Sequence, residues 1–284
     1  SVPFALIQLL ERGVLDQRDL STLRWVMFGG EPFSPSHLNA LRRLWPHVSF
    51  SNVYGPAEVN QCTFYHIPPF SAGAEPRCDD SQSIPIGRVW EETLALVVDE
   101  HDEEVADEEC GELLVHSSTM MTRYWNGTGC DPDTFFVPDD AQVRYYRTGD
   151  LVRHNGQGDL IFIGRKDRQV KVRGYRIELD EVEHAVAQHE AVEEAAVFCV
   201  RKHAASTIIA AVTLVGDAQV AAAELQAYLT KVLPVYAVPE LIHIRDSLPR
   251  TTSGKIDRRA VQQQIYGADP ESSDPSAVTG SFVA

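Results

Sequence analysis

The sequence has no apolar stretch long enough to cross a membrane and no secretory leader at its start. A membrane-spanning helix needs roughly 20 consecutive, mostly apolar residues, and a leader places basic residues ahead of a short apolar run. Their absence predicts a cytoplasmic protein without a membrane partner. The 284 residues are enough for one large domain or two smaller ones with a buried core.

Patterns for binding metals or forming disulfides are also missing. The ten histidines do not recur at the spacing of metal ligands. No two of the five cysteines form a Cys-x-x-Cys pair, and they lie far apart: Cys62, Cys78, Cys110, Cys130 and Cys199. The sequence therefore predicts neither a zinc site nor a disulfide framework, and no structural metal.

Positive charge is scarce. The chain has 41 acidic and 25 basic residues, a net charge of −16, which argues against a nucleic-acid partner because such surfaces are rich in Lys and Arg. One segment is an exception and concentrates six basic residues: Arg165, Lys166, Arg168, Lys171, Arg173 and Arg176. A basic cluster in an acidic chain indicates an anionic partner.

The first 166 residues combine two kinds of pattern. A β-rich segment at 21–28, a helix that begins near Pro35 and a strand at 48–53 predict an α/β layer. Short strands then follow, at 94–98, 111–116, 145–152 and 160–163. They predict a small β-barrel or curled sheet.

The remainder of the chain reads differently. Residues 167–265 predict the order strand, helix, strand, strand, helix, strand, which is typical of a compact α+β unit. Residues 266–284 are poor in large apolar side chains and are predicted to be disordered. The fold class predicted for the whole chain is thus α/β plus α+β.

The segment 52–58 (NVYGPAE) leaves a predicted strand through a Gly-Pro turn. Such turns place side chains at the carboxyl ends of strands, where open α/β sheets bind ligands. An aromatic ring beside an amide and a carboxylate can stack on a base, read its edge and hold Mg²⁺. A structural turn with a core tyrosine would give the same pattern, so both interpretations stay open.

The segment 146–150 (YRTGD) places one carboxylate, Asp150, after a glycine at a strand turn. One carboxylate can accept hydrogen bonds from both hydroxyls of a ribose. An aspartate that caps a turn is the alternative.

The segment 164–179 (GRKDRQVKVRGYRIEL) lies where the composition changes. It is too charged for a buried strand. It indicates either a hinge that carries anion-binding arginines or a solvated basic hairpin.

The segment 248–258 (LPRTTSGKIDR) contains Gly-Lys after a Ser/Thr run. It is not a Walker A loop, because the first glycine is absent and Ile256 stands where Ser or Thr should follow. Lys255, on a loop with a glycine, remains a candidate for contacting phosphate.

Together and in this order, the segments resemble the core motifs of the adenylate-forming superfamily, which comprises acyl-CoA synthetases, adenylation domains of nonribosomal peptide synthetases and firefly luciferase. The resemblance runs from Leu23 to Arg259 over these segments: Gly29-Gly30-Glu31, NVYGPAE, GELLV…RYWN, YRTGDL, GRKDRQVKVRGYRIELDEVE and LPRTTSGKIDRR. The last two look closer to the amino-acid-adenylating branch.

The resemblance implies a domain organisation. Residues 1–166 would be the C-terminal part of a large N-domain, with the α/β layer and the small β-barrel, and residues 167–265 a small mobile α+β subdomain. The family's Ser/Thr/Gly-rich phosphate loop and the first half of its large domain are expected upstream. Residues 1–284 alone are therefore expected to be inactive.

The resemblance also implies an adenine site for ATP. It places Gly29, Gly30 and Glu31 beside the adenine. It assigns Asn52 to the amino edge of the base. Tyr54 would stack on the ring, and Gly55 belongs to the same nucleotide-binding set.

The rest of the nucleotide would contact other motifs. The resemblance implies that Glu58 is catalytic and holds Mg²⁺, that Asp150 binds the ribose hydroxyls, and that Arg165 reaches the ribose or a phosphate. Ala57 departs from the family, which often has Thr there, and this puts one hydrogen bond to phosphate in doubt.

Three residues would serve the two half-reactions. By the resemblance, Lys255 is catalytic and bridges the carboxylate and the α-phosphate during adenylation, Asp167 is the hinge of the small subdomain, and Gly174 lies on the loop that replaces Lys255 when the thiol attacks. Positive charge at the α-phosphate would stabilise the developing equatorial oxygens.

The resemblance implies a substrate pocket whose wall is mixed, neither charged nor uniformly apolar, with these residues: Met27, Gly29, Val53, Gln61 and Cys62. It favours a small or medium acid, most simply an amino acid, over a long fatty chain. The activated acid would pass to the phosphopantetheine thiol of an acyl or peptidyl carrier protein. Two alternatives stay open: an acyl-CoA ligase, and a non-catalytic module that binds nucleotide or docks a carrier.

Overall fold

The computed structural model describes residues 1–13, 15–69, 83–125, 133–138, 143–202, 205–216 and 218–267, without the side chains of Asp16, Lys202 and Ala205. The chain divides into two compact units, Ser1–Asp167 and Arg168–Ala284. The boundary predicted between residues 166 and 167 differs from this division by one residue.

The first unit begins with an α/β layer. Its elements in chain order are α1 (Pro3–Arg12), a 3₁₀ turn (Leu15–Gln17), β1 (Trp25–Gly29), α2 (Pro35–Leu44), β2 (Ser49–Tyr54), β3 (Thr63–His66) and β4 (Arg88–Val89). The sheet order is β1-β2-β3-β4, with β1 parallel to β2 and the other pairs antiparallel. Both helices carry proline in their first turn, where its fixed φ favours helix and no amide hydrogen is needed.

A second, antiparallel sheet completes the first unit. Its strands are β5 (Leu94–Val98), β6 (Gly111–His116), β7 (Phe135–Phe136), β8 (Tyr145–His154) and β9 (Leu160–Arg165). Among the described strands the order is β5-β6-β8-β7, and β9 pairs with β8. The described strands do not close into a ring. Of the two predicted forms, a small β-barrel or a curled sheet, the structure therefore has the curled sheet. A hairpin joins β8 and β9, and Asn155 N donates to Asp159 O at 2.9 Å across its turn.

The second unit is built on a sheet that is buried on both faces. Its elements are β10 (Gln169–Val172), β11 (Tyr175–Glu178), α3 (Leu179–Ala187), β12 (Val192–Lys202), β13 (Ala205–Leu214), α4 (Ala222–Val232), a 3₁₀ turn (Val235–Ala237), β14 (Leu241–Ile244) and α5 (Arg258–Tyr266). β10 and β11 form a hairpin. β13 is antiparallel to β12 and parallel to β14.

Alternate residues of β12 and β13 enter two different cores. Val197 and Ala210 pack with α3 and α4, whereas Phe198 and Ile209 pack with Val261 of α5. Because both faces are covered, these strands read as continuous apolar runs. The predicted α/β and α+β classes are confirmed.

One sequence-based expectation needs correction. The tail predicted to be disordered from residue 266 includes Tyr266, which instead ends α5, while residues 268–284 lie outside the described residues.

The longest described helix, α4, has 11 residues, and none of the described helices combines the length and apolarity needed to cross a bilayer.

Candidate functional site

A buried carboxylate, Asp150, joins residues from three separate motifs. Asp150 lies in β8 and is only 1% exposed. The Tyr54 hydroxyl, at the end of β2, donates to its Oδ2. Arg165, which pairs with Asp150 in the β8–β9 register, donates from Nη1 to its Oδ1 at 2.8 Å. The carboxylate therefore has a hydrogen-bonded neutral partner and an ionic partner.

The surroundings change the pKa of both partners of Asp150. Burial raises the pKa of Tyr54 well above its ordinary value, and the negative charge of Asp150 raises it further. Burial acts to lower the pKa of Arg165, but hydrogen bonds and charge pairing with Asp167 and Asp150 outweigh it and raise that pKa. Tyr54 is thus neutral and Arg165 charged at physiological pH.

Arg165 also holds the predicted hinge residue. Its Nε donates to Asp167 Oδ1 at 2.8 Å, and its Nη2 donates to Asp167 Oδ2. The guanidinium lies against Gly149, where φ is +68° and an added Cβ would be 2.8 Å from Arg165 Nη2. A glycine at this position accommodates both the left-handed backbone and the close approach of the arginine.

The turn after β2 is tight and buries Glu58. Cys62 N donates to Tyr54 O at 2.8 Å, and a Cβ on Gly55 would lie 1.7 Å from Asn60 O. Glu58 is 6% exposed, and its Oε1 accepts a hydrogen bond from the Tyr124 hydroxyl at 2.9 Å. Nothing in the sequence paired Tyr124 with Glu58, because 66 residues separate them and the RYWN segment shows no local sign of the contact.

Glu58 could serve as a single carboxylate ligand of Mg²⁺, but among the described residues it is not part of a protein cage. Across the described part of the chain, no three His, Cys, Asp or Glu side chains cluster in a way that could hold a metal. Mg²⁺ at nucleotide sites is usually held by one or two carboxylates, phosphate oxygens and waters rather than by a protein cage. A single carboxylate such as Glu58 is compatible with that arrangement.

The residues predicted beside a base have contacts of their own. Asn52 is buried in β2, and its Nδ2 donates to Pro85 O at 2.8 Å. Glu31 Oε1 accepts from Phe4 N at 2.8 Å, in the first turn of α1. Gly30 has a φ of +92°. Glu31 therefore also stabilises the start of α1, a role that the sequence did not indicate.

A cavity of about 760 Å³ opens beside the ends of β1 and β2. Four of the five predicted pocket residues line it, namely Met27, Gly29, Val53 and Gln61, together with Gly30, Gly55 and several leucines and tryptophans. The fifth, Cys62, is 0% exposed and packs in the core near Val59 and Tyr54. Cys62 thus does not line this cavity in the structure.

Two predicted residues belong to the second unit. Lys255 is exposed, and its ammonium makes no hydrogen bond or ion pair with any residue that the structure describes. Gly174 and Arg173, with φ of +84° and +53°, form the two-residue turn of the β10–β11 hairpin. Both central residues have positive φ, as a type I′ turn requires. Next to the turn, Tyr175 stacks on Tyr236 with ring centroids 4.1 Å apart.

Comparison with known proteins identifies two matching family models. The model of the AMP-binding enzyme family matches residues 1–125. The model of the AMP-binding enzyme C-terminal domain matches residues 181–255.

Individual relatives agree with these matches. The chain is 38% identical over 255 residues to a linear gramicidin synthase polypeptide from Brevibacillus parabrevis, covering 89% of this chain and 3% of that protein. It is 32% identical to the L-proline–[L-prolyl-carrier protein] ligase of Pseudomonas fluorescens, covering 94% of this chain and 50% of that one. The chain thus spans half or less of the length of these two relatives.

A solved structure shows the same likeness. The structure superposes on amide bond synthetase McbA from Marinactinospora thermotolerans with a TM-score of 0.78 at 26% identity, covering 93% of this chain and 51% of that chain.

The hydrogen bond from Tyr54 to Asp150 can be tested by its pH dependence. Tyr54→Phe should lower the free energy of unfolding by about 1–3 kcal/mol, the scale for a hydrogen bond to a buried charged group. The pKa of Tyr54 is raised on folding, so the stability that this group contributes is full below its unfolded pKa of about 10 and is lost as the pH rises towards the folded value.

The measurement is urea unfolding of the full-length wild type and Y54F across this range. We expect the difference in their free energies of unfolding to stay constant up to about pH 9 and to shrink above about pH 10. A difference that is constant or grows at high pH would contradict the buried, neutral state of the tyrosine.

Proposed function

Because the chain belongs to the adenylate-forming superfamily of AMP-binding enzymes, we propose that the protein activates a carboxylic acid with ATP and transfers it to a thiol. In the first step a carboxylate oxygen bonds to the α-phosphorus, the bond from that phosphorus to the bridging oxygen breaks, and pyrophosphate leaves. In the second step the sulfur of a phosphopantetheine thiol bonds to the acyl carbon, the bond from that carbon to the phosphate oxygen breaks so that AMP leaves, and the thiol proton passes to solvent.

The observation that carries this proposal is the convergence of Tyr54 and Arg165 on the buried carboxylate of Asp150. A carboxylate has about four acceptor positions, so Asp150 can accept ribose hydroxyls while it keeps the bonds from Tyr54 and Arg165. Arg165 supplies a fixed positive charge beside it for a ribose or phosphate oxygen. The Tyr54 ring, held in place by the hydrogen bond of its hydroxyl, would stack on an adenine base.

Glu58 and Asn52 extend this site in the proposal. Glu58, oriented by Tyr124, would be a ligand of Mg²⁺, which when bound neutralises negative charge on the phosphates. The Nδ2 of Asn52 donates to Pro85 O. Its side-chain oxygen would accept a hydrogen bond from the adenine amino group. Gly29, Gly30 and Glu31 would lie alongside the base.

Lys255 would supply the positive charge for the first step only. Its exposed ammonium, free of described partners, can bridge a substrate carboxylate and the α-phosphate. We assign Asp167 as the hinge and the turn at Gly174 as the element that serves the thiol step. Conformational steps of this kind allow one enzyme to run two different half-reactions.

The proposed substrate is a small or medium amino acid, and the proposed acceptor is a carrier protein. Among the residues that line the cavity, Met27, Gly29 and Val53 contribute apolar surface and Gln61 contributes an uncharged amide. The names of two relatives, a gramicidin synthase and a ligase of L-proline and its carrier protein, support this choice.

The substrate class is tested by pyrophosphate exchange of the full-length protein against a panel of amino, aryl and fatty acids. We expect exchange with one or a few small amino acids, and transfer to a phosphopantetheinylated carrier in preference to CoA. Long-chain fatty acids activated best, with CoA as acceptor, would favour an acyl-CoA ligase. Nucleotide binding without exchange for any acid would favour the non-catalytic alternative.

Lys255→Ala should separate the two half-reactions. We expect pyrophosphate exchange to fall 10²-fold or more, roughly 3 kcal/mol for one preorganised electrostatic contact, while transfer from a supplied acyl-adenylate is retained. Lys231→Ala, at an exposed lysine of α4, is the control and should leave both steps unchanged. Equal losses in both steps for K255A would mean that Lys255 is structural.

A further inference from the structure

Glu183, a carboxylate of the second unit, binds one arginine from each of the two charged segments, 164–179 and 248–258. Glu183 lies in α3 with its side chain only 15% exposed. Its Oε2 accepts from Arg168 Nη2 at 3.1 Å and from Arg258 Nε at 3.0 Å, and Arg258 Nη2 donates to its Oε1. The Val197 amide of β12 donates to the same carboxylate at 2.9 Å. A single side chain therefore accepts hydrogen bonds from two guanidinium groups and from one strand.

This carboxylate is ionised in the folded protein. Burial acts to raise the pKa of Glu183, but the hydrogen bonds from Arg258 and Val197 and the charge of Arg168 outweigh it and lower the pKa. A part-buried negative charge with two positive partners is stabilising only while the geometry is kept. Loss of the charge removes the ion pair between Arg258 and Glu183, whereas Arg168 keeps its contacts with Asp180 and Val197 O.

The loop that carries Lys255 is fastened on either side. Before it, Arg250 donates from Nη1 to Gly254 O at 2.8 Å and forms an ion pair with Glu194 of β12. After it, Asp257 N donates to Pro249 O at 2.8 Å, and Arg258 follows directly with its bonds to Glu183. Within the loop, Thr251 N donates to Lys255 O at 2.8 Å. The backbone of Lys255 is thus fixed while its side chain is exposed.

We infer that Glu183 is a positioning residue for Lys255, acting through Arg258 to hold the Lys255 loop on α3 and β12. The inference rests on the proposed function, in which Lys255 supplies charge for adenylation. A catalytic group has to be held near its productive geometry, and a misplacement of about 1 Å can cost up to 10²-fold in rate. Glu183 itself touches no substrate.

The first test is Glu183→Gln in the full-length protein, which keeps the size and the acceptor oxygen but removes the charge. We expect kcat for pyrophosphate exchange to fall about 10-fold with little change in the KM for the acid. Transfer from a supplied acyl-adenylate should be unaffected. Glu181→Gln is the matched control, because Glu181 lies two positions away on α3 and is exposed.

A second measurement reads the loop itself rather than activity. Amide hydrogen exchange at Thr251, Gly254 and Asp257 should become faster in E183Q and remain as in wild type in E181Q. Arg258→Lys keeps the positive charge but not the two-point contact, and it should change the same amides and the same half-reaction. This variant serves if E183Q does not fold.

The outcomes separate the two proposals. If Lys255→Ala abolishes exchange of pyrophosphate but E183Q and R258K match E181Q in both readouts, the positioning role is wrong and the proposed function stands. If Lys255→Ala has no effect on adenylation, the proposed function of Lys255 fails and the positioning role fails with it. A loss of both half-reactions in E183Q would show a purely structural role and would overturn the inference.

Discussion

The buried carboxylate of Asp150 is the interaction that links the two sheets of the first unit to its candidate site. An isolated buried charge is costly, and here the cost is offset by Arg165 and by the Tyr54 hydroxyl. Each partner brings a further requirement. Arg165 can approach only because Gly149 has no side chain, and Tyr54 is fixed by the tight turn that follows β2. The contacts of Asp150 therefore join the end of β2 in one sheet to β8 and β9 in the other.

The same arginine extends this constraint to the end of the unit. Arg165 binds Asp150 on one side and Asp167 on the other, and Asp167 is the last residue of the first unit. If the backbone at Asp167 changes conformation, the hydrogen bonds from Arg165 must either move with the Asp167 side chain or break. In the second unit, Glu183 has a corresponding position, since it binds Arg168 and Arg258 at once. Arg165 and Arg168 belong to the segment that the sequence left open as a hinge or a solvated basic hairpin, and both form specific ion pairs.

Sequence patterns located the elements better than they located the contacts. The bounds of β5 and β6 agree with the predicted strands, because apolar residues in these segments are nearly continuous. Sequence patterns did not predict β4, β7 or α5. The two strands have two residues each, too few for any periodicity, and α5 has few apolar residues. Motifs named Tyr54, Asp150 and Arg165 individually, but no local pattern could reveal that they meet, since 96 residues separate the first two. Cys62 was placed in the cavity with Gln61, but the turn after β2 directs only Gln61 to the cavity, and Cys62 packs in the core.

The central claim is that the Asp150 carboxylate binds nucleotide while Tyr54 and Arg165 hold it. Isothermal titration of the full-length protein with ATP and with AMP tests it most directly, by comparing wild type with Asp150→Asn. The control is Asp159→Asn, which alters another buried aspartate of the first unit, paired with Arg88 at 2.9 Å. The account predicts that D150N weakens the binding of both nucleotides about 10- to 100-fold, the scale of one or two hydrogen bonds to a charged group, while D159N binds as wild type. Unchanged affinity in a folded D150N protein would contradict it.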